Sequence, residues 1–263
     1  MSGPGFIHLH VHSAYSLLEG ALPLGKILDL AAKDGQPAVG IADTNNLFGA
    51  LEFSEKAVSK GIQPITGCEL AIDFGGEEEK PNERANFGKG VVVLIAMTEE
   101  GFSNLSTLVS RAYLDVPAGG PPHVEAGWLP ALSEGIICLT GGERGPLGAA
   151  LKAEHPAVAE ARLSFLKQVY GDRLYVELQR FRGHDRLVEA ASIDLAYAHG
   201  LPLVATNEAF FPAAADYEAH DALLAIADGS VVAADDRRRL TPDHHLKTQA
   251  EMVALFSDLP EAV

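Results

Sequence analysis

Apolar residues along this chain fall into two rhythms that alternate almost to its end. Short continuous apolar runs read as strands: FIHLHV (6–11), AVGIAD (38–43), IQPITGCELAI (62–72), VVVLIAM (91–97), GIICLT (135–140), LYVELQ (174–179) and LPLVAT (201–206). Helical spacing governs LGKILDLAAKDG (24–35), LFGALEFSEKAVSKG (47–61), GFSNLSTLVSRAYL (101–114), PAVAEARLSFLKQVYG (156–171), RLVEAASIDLAYAHG (186–200), DYEAHDALLAIADG (216–229) and TQAEMVALF (248–256). Several of these stop at a glycine, the residue that most readily adopts the left-handed turn closing a helix. Two stretches have neither rhythm. FGGEEEKPNERANFGKG (74–90) reads as a solvated loop or hairpin tip, and PAGGPP (117–122) as a second break. The strand–helix alternation resumes after each, so neither is a domain linker.

Strands that are apolar throughout, rather than on alternate residues, belong to a parallel sheet buried on both faces. Seven of them make either an open doubly wound sheet or a closed barrel. The polar residues favour closure. Asp43, Glu69, Glu177 and Glu208 stand at or just past predicted strand ends. Barrels gather functional groups from many strands at one carboxyl-terminal face, whereas open sheets use mainly the switch point. The expected fold is α/β, a distorted (β/α)7 TIM-like barrel over about residues 5–228, followed by a C-terminal segment, 229–263.

The 263 residues are 47% hydrophobic and 21% charged, enough apolar material for such a core. No apolar run reaches the roughly 18–20 residues of a membrane span, and the opening MSGPGFIHLH lacks signal-peptide character. A cytoplasmic location with no membrane partner is expected. The formal net charge of −16 opposes autonomous DNA binding, which depends on Lys and Arg contacts to phosphate. The basic run within 235–239 is short and opens on two aspartates, so it reads as a solvated turn. Cys68 and Cys138 lie in apolar runs and read as buried free thiols.

Candidate chemistry starts with His8, His10 and His12, on alternate positions of the first strand and so on one face of it. A His-x-His pair joined by carboxylates from later strands is a donor set for zinc, manganese or iron. The alternative is a buried polar network without metal. His123, His155, His184, His199, His244 and His245 fall in loops or at helix ends, where histidine needs no special role, and His220 is assigned none. Glu177 is either part of the same polar floor or solvent-exposed.

FIHLHVHSAYSLLEGA, AVGIADTNNLFGALEF, IQPITGCELAI, GFSNLSTLVSRAY, GIICLTGG, LYVELQR, LPLVATNEAFF and TQAEMVALFSDLPEAV occur in an order that resembles one family across essentially the whole chain. That family is the amino-terminal PHP (polymerase and histidinol phosphatase) domain of bacterial replicative DNA polymerase III alpha subunits. The resemblance implies a distorted seven-stranded barrel and, in intact members, a trinuclear metal site. Carried over position by position, His10 and His12 match the His-x-His pair and Glu69 the bridging carboxylate, while Glu19 and Glu208 stand where Asp is usual. Asp43 is followed by Thr44 instead of His; Val91, Gly142 and Phe210 occupy His, Cys and His positions. Thr44, Val91, Gly142 and Phe210 are thus lost-ligand positions, and the remaining six residues are a remnant with low metal occupancy.

The resemblance therefore implies no catalytic residue in this chain and no cofactor, with zinc or manganese present only if the remnant still binds. It implies DNA replication as the setting and a non-catalytic scaffold as the role. That scaffold packs on the remainder of the alpha subunit, docks the proofreading 3′–5′ exonuclease subunit and meets DNA only through the holoenzyme. The polymerase (nucleotidyltransferase) site is expected beyond this segment, in sequence continuing past Val263. The competing reading is a metal-dependent phosphoesterase or 3′–5′ exonuclease. In either case His10, His12, Asp43, Glu69 and Glu208 are expected to converge at the carboxyl end of the barrel.

Overall fold

The computed structural model describes residues 5–75, 89–117 and 120–263. Its strands are β1 (Ala38–Thr44), β2 (Gln63–Asp73), β3 (Lys89–Ala96), β4 (Val124–Glu125), β5 (Ile136–Leu139), β6 (Leu174–Gln179) and β7 (Leu203–Thr206). Its helices are α1 (Leu24–Lys33), α2 (Ala50–Ser59), α3 (Glu99–Leu114), α4 (Leu129–Leu132), α5 (Pro146–Lys152), α6 (Pro156–Tyr170), α7 (Arg186–His199), α8 (Tyr217–Ala227) and α9 (Gln249–Leu255). Local chemistry sets several boundaries. The Asp185 carboxylate accepts the Leu187 and Val188 N–H groups at the start of α7, and Gly200 closes that helix at φ +62°. Thr248 and Glu251 cap α9 reciprocally.

The sheet runs β1-β2-β3-β5-β6-β7, with β4 beside β2. Most neighbours are parallel, but β3 is antiparallel to both β2 and β5. This corrects the all-parallel expectation. A parallel return needs a crossover, usually a helix, and the sequence between β2 and β3 has no helical period. Residues 76–88 of the expected loop lie outside the described residues, as do 118 and 119 of the second break; Lys89 and Gly90 already belong to β3.

The first expected strand, 6–11, is also irregular. The Gly40 N–H donates to the His8 carbonyl at 2.6 Å and the Ala42 N–H to the Val11 carbonyl at 2.8 Å. The segment thus advances three residues while β1 advances two, a slip that breaks the ladder like a bulge. Gly40 is needed there, because a Cβ would sit 3.0 Å from the Leu9 Cα. On its other side the segment bonds to the stretch after β7: His12 N–H to the Ala209 carbonyl, and Ala209 N–H to the His10 carbonyl. These bonds carry the curled sheet from β7 round to β1, giving a distorted TIM-like barrel.

Inside the ring, Ala42, Val93, Ile95 and Leu139 form a small buried cluster with Leu9, Ile65 and Tyr175 against it. A larger core fills the space between sheet and helices, including Leu70, Leu94, Leu105, Leu163 and Leu174. Met252, Phe256, Leu259 and Ala262, from the C-terminal segment, belong to that same core. Cys68 and Cys138 are buried and free.

Candidate functional site

β2 runs parallel to β1 with Thr44 opposite Glu69, and Glu69 lies opposite Val93 of β3. Because β3 is inverted, its first residues meet the carboxyl end of β2, so Val91 shares Glu69's face one step further out. Glu177 of β6 points into the same end, and Glu208 follows β7 with a left-handed backbone, φ +49°. Such a backbone is uncommon for a residue with a Cβ and persists only where surroundings hold it.

His10, His12, Glu69 and Glu208 come together there, each offering one ligand atom, all within 4.8 Å of one another. All four are buried. His10 Nδ1 bonds the Glu177 Oε1 at 2.8 Å, and its Nε2 lies 3.3 Å from the Glu69 Oε2. Glu177 is fully engaged: its Oε2 accepts the Gly141 N–H at 2.8 Å and its Oε1 accepts the Thr206 hydroxyl. The polar-floor reading of Glu177 is the one the geometry supports. His12 stacks flat on Phe210, ring centroids 4.1 Å apart and 4° from parallel.

Arg144 completes the arrangement. It ends a 3-10 turn, Gly142–Arg144, just after β5. Its stem is half-exposed, but its Nη2 donates to the Glu69 Oε2 at 2.6 Å and, more closely still, to the Glu208 Oε1. A guanidinium therefore bridges two of the four clustered donors. Sequence reasoning missed it, since an arginine in a Gly-rich turn reads as solvated; its place at a strand end was the available signal.

The charges balance internally. Burial alone would lower His10, but the bonded Glu177 carboxylate, with Glu69 and Glu208 near, raises it to about 10, so it is an imidazolium at neutral pH. Burial holds His12 well below the ordinary range despite Glu69, and it is neutral. Burial pushes Glu69 up, yet Arg144 and the two histidines outweigh it and hold it well below the usual carboxylate range. Burial keeps Glu208 above its ordinary value in spite of Arg144.

Two expected members, Asp43 and Glu19, lie elsewhere, and His8, which falls outside the ligand pattern, does too. Asp43 does not join the cluster, because the Ser13 N–H and the Ser13 and Ser16 hydroxyls occupy its carboxylate, each at 2.7 Å. It ties down the turn after His12. Glu19 accepts the Thr44 hydroxyl at 2.8 Å and pairs with Arg238 at 2.6 Å. Arg238 and its neighbour Arg237, which pairs with Asp221, thus anchor the segment expected to be a solvated turn. His8 leaves the face of His10 and His12, as the slip in its segment requires, and bonds the Lys247 carbonyl at 2.7 Å.

Positions where the resemblance expects further ligands make other contacts. Phe210 packs on His12, and Thr44 bonds Glu19. Gly142 has φ +57°, and a Cβ on it would lie 2.4 Å from the Gln179 Oε1. The four clustered donors suit one borderline cation. They are too few for a trinuclear cluster, and Arg144 already stands on two of them. The residues as arranged do not fit the multinuclear group.

The fold and the cluster define a distorted TIM-like α/β barrel that gathers imidazoles and carboxylates at one end of its sheet. The PHP domain model matches residues 8–181, and the chain belongs to that family. It is similar to the N-terminal region of DNA polymerase III subunit alpha from Caulobacter vibrioides, 47% identical over 263 residues, covering 99% of this chain and 23% of that one. The Escherichia coli K12 counterpart is 34% identical over 269 residues, covering 100% and 22%. The chain thus spans under a quarter of the length of these relatives. Among solved structures, a Bifidobacterium adolescentis protein named for a metal-dependent phosphoesterase activity superposes with a TM-score of 0.51 at 14% identity, over 77% of this chain and 86% of that one. At that identity the likeness is one of fold.

Proposed function

We propose that this chain is the amino-terminal PHP domain of a replicative DNA polymerase III alpha subunit, and that it acts there as a non-catalytic scaffold. In this reading it is a single domain, 1–263, whose segment from 229 leads on towards the polymerase body. It works in the cytoplasm, packs on the remainder of the alpha subunit and docks the proofreading 3′–5′ exonuclease subunit. Contact with DNA comes through the holoenzyme.

The observation that carries the reading is Arg144. Hydrolysis at phosphorus in a metal site needs a metal-bound water of lowered pKa, often held between two ions. Here a fixed cation takes the carboxylates that would hold those ions, and Val91, Gly142 and Phe210 bring no donor to replace them. Purified chain supplied with zinc or manganese is expected to hydrolyse neither a nucleotide phosphate nor a 3′-terminal phosphodiester above background. The proofreading subunit is expected to bind the chain equally well after His10→Ala and His12→Ala together.

A second reading, a metal-dependent phosphoesterase, draws on the buried His12 Nε2, which has no hydrogen-bond partner and faces Glu69 and Glu208. Metal-dependent hydrolysis that disappears in His12→Ala would establish it over the first.

A further inference from the structure

We infer that Arg144 is an intramolecular occupant of a latent single-cation site formed by His10, His12, Glu69 and Glu208, and that withdrawing its guanidinium opens that site to one divalent cation. The inference rests on the scaffold reading of the intact site and goes beyond it by naming what keeps the metal out.

Three observations converge. The four donor atoms lie within 4.8 Å of one another, a spacing that one ion at ordinary bond lengths to nitrogen and oxygen can satisfy with small shifts. His12 Nε2 is buried without a hydrogen-bond partner, on a side chain 0% exposed, and faces both carboxylates, while the His10 Nε2 lies 3.3 Å from the Glu69 Oε2. A buried ring nitrogen left as His12 Nε2 is left is costly, and a cation would engage it together with the His10 Nε2, taking the place of the His10 proton. Finally, the carboxylate oxygens bonded by Arg144 Nη2, Glu69 Oε2 and Glu208 Oε1, are the same ones nearest the His12 Nε2, at 4.0 Å each. The guanidinium therefore stands where the cation's charge would be needed.

Arg144 reaches the cluster from outside the barrel strands. Its side chain extends from a short turn and is about half exposed. Both imidazoles are also held from behind: Glu177 fixes one through the His10 Nδ1, and Ser16 lies 3.1 Å from the His12 Nδ1. Partners of this kind orient ligating histidines and strengthen them as donors. Ligand types and burial both point to zinc or manganese over magnesium, which prefers oxygen ligands and keeps its waters.

The test compares the 263-residue chain with its Arg144→Ala and Arg144→Gln variants by calorimetric titration with Zn2+ and Mn2+, metal analysis and thermal melting. The intact chain is expected to take up no cation tightly and to melt at the same temperature with or without chelator. Arg144→Ala should bind one equivalent of zinc, about a hundredfold or more tighter than the intact chain. Its melting temperature should rise by roughly 5–10 °C when free zinc is about a hundredfold above the dissociation constant. The added equivalent should vanish in Arg144→Ala with His12→Ala. If Arg144→Ala folds poorly without metal, zinc in the growth medium should rescue it, and the purified protein should carry one zinc.

Two results would overturn the inference: folded Arg144→Ala and Arg144→Gln that bind no cation, or poor folding in both that zinc does not rescue. Either leaves the scaffold reading standing. Tight zinc binding by the intact chain would also overturn it, since Arg144 would then exclude nothing. Phosphoesterase turnover by the intact chain is a separate readout, and it alone sinks the scaffold reading.

Discussion

His10 holds its charge because Glu177 is bonded to it in a place water does not reach. Its folded-state pKa, raised to about 10, lies above the unfolded value of about 6.5. Between those values the folded chain binds a proton that the unfolded chain has lost, so stability is fully present below about pH 6.5 and falls as pH rises towards 10. The expected loss is on the order of a few kcal/mol, read as urea-unfolding free energy against pH. A His10→Gln variant should be less stable at neutrality but should show a flatter decline across that window. Removing the other partner is expected to be worse. Glu177→Ala leaves an imidazolium buried beside a vacant acceptor and should cost about 3–5 kcal/mol. The meeting of His10, His12, Glu69 and Glu208 at one end of the sheet was legible from their strand-end positions. Asp43 was not, because position at a strand end says nothing of the serines that consume its oxygens.

At the scale of elements, the turn after β5 shows why position 142, where the resemblance expects a cysteine, does not readily accept one. Gly142 combines a left-handed backbone with a Cβ position 2.4 Å from the Gln179 Oε1. Gly142→Cys should therefore lower stability by about 1–3 kcal/mol, measured by thermal or urea unfolding, and Gln179→Ala in the same chain should recover part of it. Arg180 is a different kind of joint. It pairs with Glu189 of α7 at 2.8 Å and Asp258 beyond α9 at 2.5 Å, and lies 4.5 Å over the Phe256 ring. Arg180→Ala should cost about 2 kcal/mol and speed amide exchange in residues 249–262 more than in β6. Most element positions could be read from apolar runs, since burial imposes the period. The direction of β3 could not, because a buried strand has the same composition whichever way it runs. α5 was hidden by Gly148 and its alanines, although Pro146 at its first turn marks a helix start.

For the molecule as a whole, two bulk properties follow. A net charge of −16 must be overcome before any phosphate contact helps, so binding of single- or double-stranded DNA should be undetectable at micromolar protein in physiological salt. Fluorescence anisotropy showing micromolar affinity with a steep salt slope would reveal a local basic surface strong enough to prevail. Among the described residues no helix is long and apolar enough to cross a membrane. The barrel class was legible from the count of apolar runs and the carboxylates at their ends. The way the ring closes was not, since it depends on a one-residue slip between His8 and Val11 that no periodicity records.

That closing segment has a consequence for how the chain acquires its structure. Val11 pairs with Ala209, so the first stave to leave the ribosome must wait for the synthesis of nearly the last one. Contacts of such sequence separation form late and slow the search, because the intervening loop entropy is lost before they are made. Until then β1 and β7 are open edges able to pair with other chains, the usual route to aggregation during synthesis. Nascent chains arrested before residue 209 emerges should stay protease-sensitive at residues 6–16 while α1 and α2 are already protected. The imidazoles and Glu208 would then meet only in the final step of folding, making their cluster a marker for a finished ring.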